Sequence, residues 1–458
     1  MGVVTRAKKR SLEEVDRISG LPDGVLGDIV TLLRTKDGAR TQVLSSRWRH
    51  IWRSATLNVQ LHDEPWQGTR IDDVSRVLSS HPGPCRRFSL NIRDEKGYDD
   101  DATLDGWLRS PALHDLQELE IHFYLSWGTR SQQLPASAFR FSPTLLVASF
   151  QSCIFPEIGR SNSWSILKQL TLCSVTISEA SLHTLLATGC PGLQSLLLLD
   201  NYFCPRYRIS SPSLRSIGVC SNFGYEGGDE TDDDDDDPVL LQIVIEDAPC
   251  LERFLINQGV VMDISVISAP RLAVLGQIQL QGNRRMIRFG NGGLHYQAVV
   301  PSVRVLALYY VRPCMVIEFI KCFPSLETLH VEITTDGAQY ESYNEYWKLT
   351  GTLDIRLRKI VVLKYRHDYK EYIDFAKFLV TNASVLELMT LELKDGEVGD
   401  NAWITRQHSQ LKIEERASRG ARFDFVSCVE SSSGRFLPEK LWKLVHDLSI
   451  HDPFQRIH

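Results

Sequence analysis

The apolar positions change period along the chain, and each period predicts a different element. Val25, Leu26, Ile29, Val30, Leu32 and Leu33 recur at helical spacing, which puts one apolar stripe on a helix opened by Pro22. Gly24 and Gly27 weaken that helix by roughly 0.5–1 kcal/mol each relative to alanine, so it needs tertiary support. A second short helix is expected over 37–44. A third follows from Ser46, with Trp48, Ile51 and Trp52 at i, i+3 and i+4. Three short helices in ~40 residues cannot enclose their own apolar surface, and what is left over implies a partner.

From residue 85 the pattern becomes L-x-x-L-x-L with other apolar residues substituting for leucine. It runs through Cys85-Phe88-Leu90, Leu116-Leu119-Ile121, Leu145-Ala148-Phe150, Leu167-Leu170-Leu172, Leu193-Leu196-Leu198, Leu214-Ile217-Val219 and Leu251-Phe254-Ile256. It lapses after Leu272-Leu275, where Gln277 stands third. It resumes at Val303-Leu306-Leu308, Leu326-Leu329-Val331, Ile360-Leu363-Tyr365 and Leu386-Met389-Leu391. This is the leucine-rich-repeat signature with irregular connectors. One strand and one connector cannot bury their own apolar edge, so stacked units form a curved parallel sheet over a continuous core.

Alternation along each strand sends positions 4 and 6 inward and positions 3, 5 and 7 onto the other sheet face. That face carries Glu118, Glu120 and His122 early. In the middle it carries Leu197, Leu199, Leu255, Val305 and Tyr309, and late in the array His330, Lys364 and Arg366. Its middle is apolar for a solvated sheet. It is either a surface that captures a target or one that neighbouring loops cover, unless the register is slipped by one residue. Beyond the repeats, 357–365 reads as a strand and 371–382 as a helix with Tyr372, Phe375, Phe378 and Leu379 on one face. A second strand at 385–391 completes a crossover able to extend a parallel sheet.

Composition narrows the function classes. The 458 residues are 43% hydrophobic and 24% charged, ordinary for a globular protein. The net charge is −6, yet nine acids and no base lie within 226–237, so the remainder sums to +3. The acidity therefore belongs to one insert, read as a solvated loop, and no basic face points to nucleic acid. Arg6, Lys8, Lys9 and Arg10 read either as a nuclear-import patch or as a solvated tail. Ten cysteines include no Cys-x-x-Cys pair, which fits reduced thiols in the cytoplasm or nucleus. No apolar run approaches a membrane helix, and no secretory leader is evident. Nucleophile elbow, phosphate loop and zinc spacing are all missing, so neither catalysis, nor metal, nor cofactor is expected.

Leu21-Pro22-Asp23, the apolar stripe to Leu33, and Val43-Leu44-Ser45-Ser46-Arg47-Trp48-Arg49-His50-Ile51-Trp52 together resemble an F-box. The C-terminal third, with Phe423, Phe425 and the tail from His446 to Phe454, is similar to the FBD module of plant F-box/leucine-rich-repeat proteins. Gly24 and Gly27 depart from the charged or polar helix formers usual in that head. The resemblance implies an α/β chain ordered as a basic tail (1–15), an F-box (16–57), a solenoid (80–352, with the acidic loop), an FBD module (353–427) and a C-terminal tail (428–458). It implies docking on a Skp-type adaptor, and through it a cullin, by Leu21, Pro22, Val25, Leu26, Ile29, Leu33, Leu44, Trp48 and Trp52. The solenoid would then present a protein target for ubiquitination, with no chemistry of its own. The alternative is a scaffold of the same fold acting outside a ligase.

Overall fold

The computed structural model describes residues 18–455 except 19, 34, 63–70, 82–83, 94–100, 125–131, 160–162, 202–203, 221–240, 258–261, 280–285, 290–298, 335–354, 395–397 and 428–437. The basic stretch 1–15 and the acidic insert 226–237 lie outside the described residues. The chain divides into two compact units, Met1–Pro156 and Glu157–His458.

The first unit begins with helices α1 (Asp23–Leu32), α2 (Thr35–Arg40) and α3 (Ser46–Ser54). Pro22 caps α1 with extended backbone, and the Leu26 amide donates to its carbonyl (3.1 Å). The chain continues through β1 (Leu57–His62), α4 (Ile71–Ser80), β2 (Cys85–Arg93), α5 (Asp101–Leu108), β3 (Glu118–Tyr124), β4 (Gln132–Gln133), β5 (Val147–Gln151) and β6 (Cys153–Ile154). Strands β1, β2, β3 and β5 pair in parallel in that order, and β4 pairs with β6. The solenoid thus starts one strand before the expected residue 80. The signal was an alternation of Leu57 and Val59 with Asn58 and Gln60. It was hidden because Thr56 stands where the repeat's leading leucine belongs. In β3, Leu119, Ile121 and Phe123 are buried while Glu118, Glu120 and His122 are half-buried, as the alternation requires.

The second unit contains β7 (Gln169–Cys173), α6 (Glu179–Thr184), β8 (Ser195–Leu199), β9 (Arg206–Ser210), β10 (Ser216–Cys220), β11 (Leu241–Asp247), β12 (Arg253–Asn257), β13 (Met262–Val266) and β14 (Val274–Gln279). Then come β15 (Met286–Phe289), β16 (Val305–Val311), α7 (Pro313–Cys322), β17 (Thr328–Ile333), β18 (Lys359–Tyr365), α8 (Lys370–Asn382), β19 (Leu388–Leu393), α9 (Asn401–Gln410), β20 (Arg422–Ser427) and α10 (Pro438–His446). Its main sheet runs β7-β8-β10-β12-β14-β16-β17-β18-β19-β20, all parallel. The register aligns one buried row: Leu170, Leu196, Ile217, Phe254, Leu275, Leu306, Leu329, Ile360 and Met389. All are fourth repeat positions by the sequence spacing except Ile360, expected as a leading residue, which in fact takes the fourth place, so that this unit is Leu357-Ile360-Val362. The FBD-like segment simply adds strands β18, β19 and β20 to this ladder. Tyr372, Phe375, Phe378 and Leu379 bury the apolar face of α8.

Three details were not legible as repeats. The connectors after β8, β10, β12 and β14 are strands, forming a second parallel sheet in the order β15-β13-β11-β9. Tyr207 and Ile209, like Ile243 and Ile245, alternate there with polar residues at the period of a strand. In β14 the register shifts, so that Ile278 rather than Gln277 pairs with Leu308. Gly276, at φ +141°, passes so close to β16 that a Cβ would lie 2.6 Å from the Ala307 carbonyl oxygen. Finally, Asn201 and Cys153 occupy the ninth repeat position, eight residues after Leu193 and Leu145. Asn201 accepts from the Val175 amide (2.9 Å) and donates to the Leu172 carbonyl (3.1 Å), stitching one repeat to the next.

Candidate functional site

The helical head of the first unit sorts its apolar residues into two sets. Leu26, Val30, Trp48, Ile51 and Trp52 are buried and form its core, with Ala55 and Leu57. The Trp52 ring lies on α2 at Gly38, where a Cβ would come within 2.5 Å of Cζ3, and it meets the His81 ring edge-on at 5.0 Å. His81 Nε2 also bonds the Trp52 carbonyl (2.9 Å). Arg47 Nε donates to Asp23 Oδ1 (2.6 Å), and the guanidinium also donates to the Leu21 carbonyl, clasping α3 to the start of α1. Asn58 Nδ2 donates to the Thr31 carbonyl, and Thr35 Oγ1 donates to the Asn58 carbonyl, which ties the head to β1.

The second set faces outward. Leu32 is 81% exposed, Val43 84% and Leu44 63%, and Val25 and Ile29 are exposed too. Pro22 is exposed as well; Leu21 and Leu33 are half-buried. Of the nine residues expected to serve the adaptor, Leu26, Trp48 and Trp52 therefore hold the head together, while Val25, Ile29 and Leu44 are presented. Leu32 and Val43, outside the expected nine, are exposed as well. Gly24 and Gly27 open onto a shallow cleft of about 310 Å³ whose lining includes Asp28, Thr31 and His50. Neither glycine would bring a Cβ within 4 Å of another group. Gly24→Ala and Gly27→Ala are therefore expected to stabilise the head by about 0.5–1 kcal/mol each, read as a higher urea midpoint.

The sheet face of the second unit differs from expectation. Leu197, Leu199, Leu255 and Tyr309 are buried, not solvated, because α10 and the turn after it lie across them. Leu441, Leu444, Val445 and Phe454 complete that cluster, and Val305 packs against it half-buried. In the structure this face is covered, and the covering element is the chain's own C-terminal segment. His330 is buried as well, with Nε2 3.0 Å from Asp452 Oδ2 and its ring tilted against Phe454. Lys364 is engaged rather than free: it pairs with Glu332 (3.0 Å) and donates to the Tyr310 hydroxyl (3.1 Å). The Arg366 guanidinium lies 4.6 Å from the centre of the Tyr369 ring. The corresponding face of the first unit is polar and self-paired: Arg87 and Ser89 both bond Glu120 (3.0 and 2.6 Å), and His122 Nε2 bonds Ser149 Oγ (2.8 Å).

At the seat of the tail, His446 sits between Thr171 Oγ1 (2.9 Å) and Ser195 Oγ (2.7 Å), with Trp442 beside its ring. Burial pushes its pKa down from 6.5 to about 4. An unfolded histidine takes its proton near 6.5 and the folded one near 4. Between these values the unfolded state binds more protons, so stability falls as pH falls through this window. The contribution is up to ~1.4 kcal/mol per pH unit. Burial works to raise the Asp452 pKa, but the His330 hydrogen bond and the charges of His330 and Lys359 outweigh it and hold that carboxyl lower. Its own contribution is lost progressively as pH falls from about 5 through the unfolded carboxylate value of ~3.9. Thermal melts from pH 7 to 4 should show His446→Gln losing less stability on acidification than wild type.

Among the described residues no helix is long and apolar enough to cross a membrane, and no cluster of three or more His, Cys, Asp or Glu could hold a metal. What the fold defines is a leucine-rich-repeat protein with a helical head. The family model for the LRR repeats of the FBD-associated F-box protein At5g56370 matches residues 104–331. In Arabidopsis thaliana, "Putative F-box/LRR-repeat protein At3g58880" is 33% identical over 222 residues, covering 45% of this chain and 47% of that protein. "Putative F-box/FBD/LRR-repeat protein At5g44950" is 24% identical over 458 residues, covering 88% of this chain and 98% of that protein. F-box/FBD/LRR-repeat protein At1g13570 is 29% identical over 222 residues, covering 46% and 50%. The chain thus spans about half the length of most of these curated relatives and nearly all of one. Its repeats match the LRR model of an FBD-associated F-box protein, and the chain is similar to plant F-box/LRR/FBD proteins.

Proposed function

We propose that this chain is the substrate-recognition subunit of a Skp–cullin–F-box ubiquitin ligase. The observation that carries the reading is the division of labour in the head. Leu26, Val30, Trp48 and Trp52 suffice to build its core, and Val25, Ile29, Leu32, Val43 and Leu44 remain outside it. A patch of exposed aliphatic side chains on so small a unit is costly to leave in water. Covering it with a Skp-type adaptor would bury on the order of 1,600 Å² in a stable interface. Each large aliphatic side chain withdrawn from water is worth about 1.5–3 kcal/mol.

In this reading the chain performs no chemistry. The solenoid holds a target protein, the head holds the adaptor and through it the cullin, and the tether keeps a target lysine near the conjugating enzyme. Effective concentrations in the mM range follow for such linkage, and the rate gain is one of proximity. Co-expression with a Skp-type adaptor followed by gel filtration tests this directly. A stoichiometric complex is expected, lost when residues 18–54 are exchanged for an unrelated helical hairpin. A chain that stays alone with every adaptor offered is a scaffold acting outside a ligase.

A further inference from the structure

The C-terminal segment meets the sheet of the second unit as a ligand meets a receptor. On α10, Leu441, Leu444 and Val445 stand at i, i+3 and i+4 and fill the apolar cluster with Leu197, Leu255 and Tyr309. Around this stripe the polar groups are matched one by one. Arg253, a buried cation on β12, donates to the carbonyls of Leu444 (3.2 Å), Asp447 (2.9 Å) and Leu448 (2.7 Å), receiving the end of the helix. Asp452 lies 3.0 Å from His330 and 3.8 Å from Lys359.

Gly218, in the middle of β10, makes the seat for Val445: a Cβ there would stand 2.3 Å from Val445 Cγ2 and 2.9 Å from Leu197 Cδ1. Glycine weakens a strand interior, and here its lack of a side chain is what admits the helix. Residues 428–437 separate β20 from α10, and ten residues can span up to ~33–36 Å.

We propose that this sheet face is a docking groove for an amphipathic helix that ends over Arg253 and is followed by an acidic residue. The tail is its occupant in cis, and a target bearing a helix of that chemistry enters by exchange with the tail. The proposal rests on the reading of the chain as a target receptor and names the class of target segment. Tethering holds the tail at an effective concentration in the mM range. A free helix therefore gains entry only when it brings further contacts or when the tail is loosened, which sets a threshold on capture.

The test uses the full chain and a fluorescent peptide carrying residues 438–455. In the chain bearing Leu441→Asp and Val445→Asp the tail cannot seat while the sheet keeps its own residues. The peptide is expected to bind that chain at least ~100-fold more tightly than wild type, where the groove is filled. Adding Gly218→Val to the same chain should remove the binding, and a peptide with Val445→Asp should not bind. A folded variant that ignores the peptide overturns the proposal. So does loss of the cooperative melt in both this variant and the milder Val445→Ala, since the tail is then part of the core. Adaptor binding by the same chains reads the head separately. Its absence in wild type would defeat the ligase reading and leave the peptide result standing.

Discussion

Replacing Ile29 and Leu44 by aspartate in one chain is expected to abolish adaptor binding without lowering the melting temperature. Both side chains are exposed aliphatics on the outer face of the head, on α1 and just before α3. Neither is a buried core residue, so the change in stability should stay small, within about 0.5 kcal/mol for Leu44 and somewhat more for Ile29, which is 38% exposed. At an interface, truncating an apolar anchor costs ~2 kcal/mol or more, and a buried carboxylate in its place costs further. Two such changes remove on the order of 4 kcal/mol, roughly a thousandfold in affinity. Calorimetric titration with a Skp-type adaptor beside a thermal melt reads both quantities. A retained affinity would place the docking face elsewhere.

Trp52→Ala is expected to act in the opposite way. Trp52, on α3, is buried, with its ring against Gly38 of α2 and edge-on to the His81 ring. Emptying such a site costs about 3–5 kcal/mol. That is a large part of the stability of a unit this size. The urea midpoint should fall steeply, and adaptor binding should be lost together with the fold. A midpoint within ~1 kcal/mol of wild type would mean that the ring is not a core element. The contrast separates residues that build the head from residues that present it, which the sequence alone merged into one set of nine.

The merger has a physical origin. Helical periodicity identifies an apolar stripe, but the stripe of α1 is wider than one packing contact. Leu26 and Val30 turn to α3 while Val25, Ile29 and Leu32 are left outside. In the solenoid, by contrast, the L-x-x-L-x-L spacing located nearly every strand, because the fourth and sixth positions have a single place to go. The strand at Leu57–His62 escaped because Thr56 breaks the consensus. The second sheet escaped because its connectors are short and alternate apolar with polar residues outside the leucine-rich spacing. The burial of Leu197, Leu255 and Tyr309 lay beyond local pattern altogether. A segment roughly 130 to 250 residues further on covers them, and the apolar character of that face announced a partner without saying that the partner is the same chain. Gly218 was the one hint in the strand itself, a missing side chain in the middle of a buried ladder.

Hydrogen exchange of the intact chain, measured with and without a Skp-type adaptor, tests most directly whether the helical front end is the docking element. Added protection is expected over residues 21–48, centred on α1 and on Val43 and Leu44, while the amides of the second unit exchange as before. Unchanged exchange throughout the head, or protection that appears on the ladder from β7 to β20 instead, would contradict it.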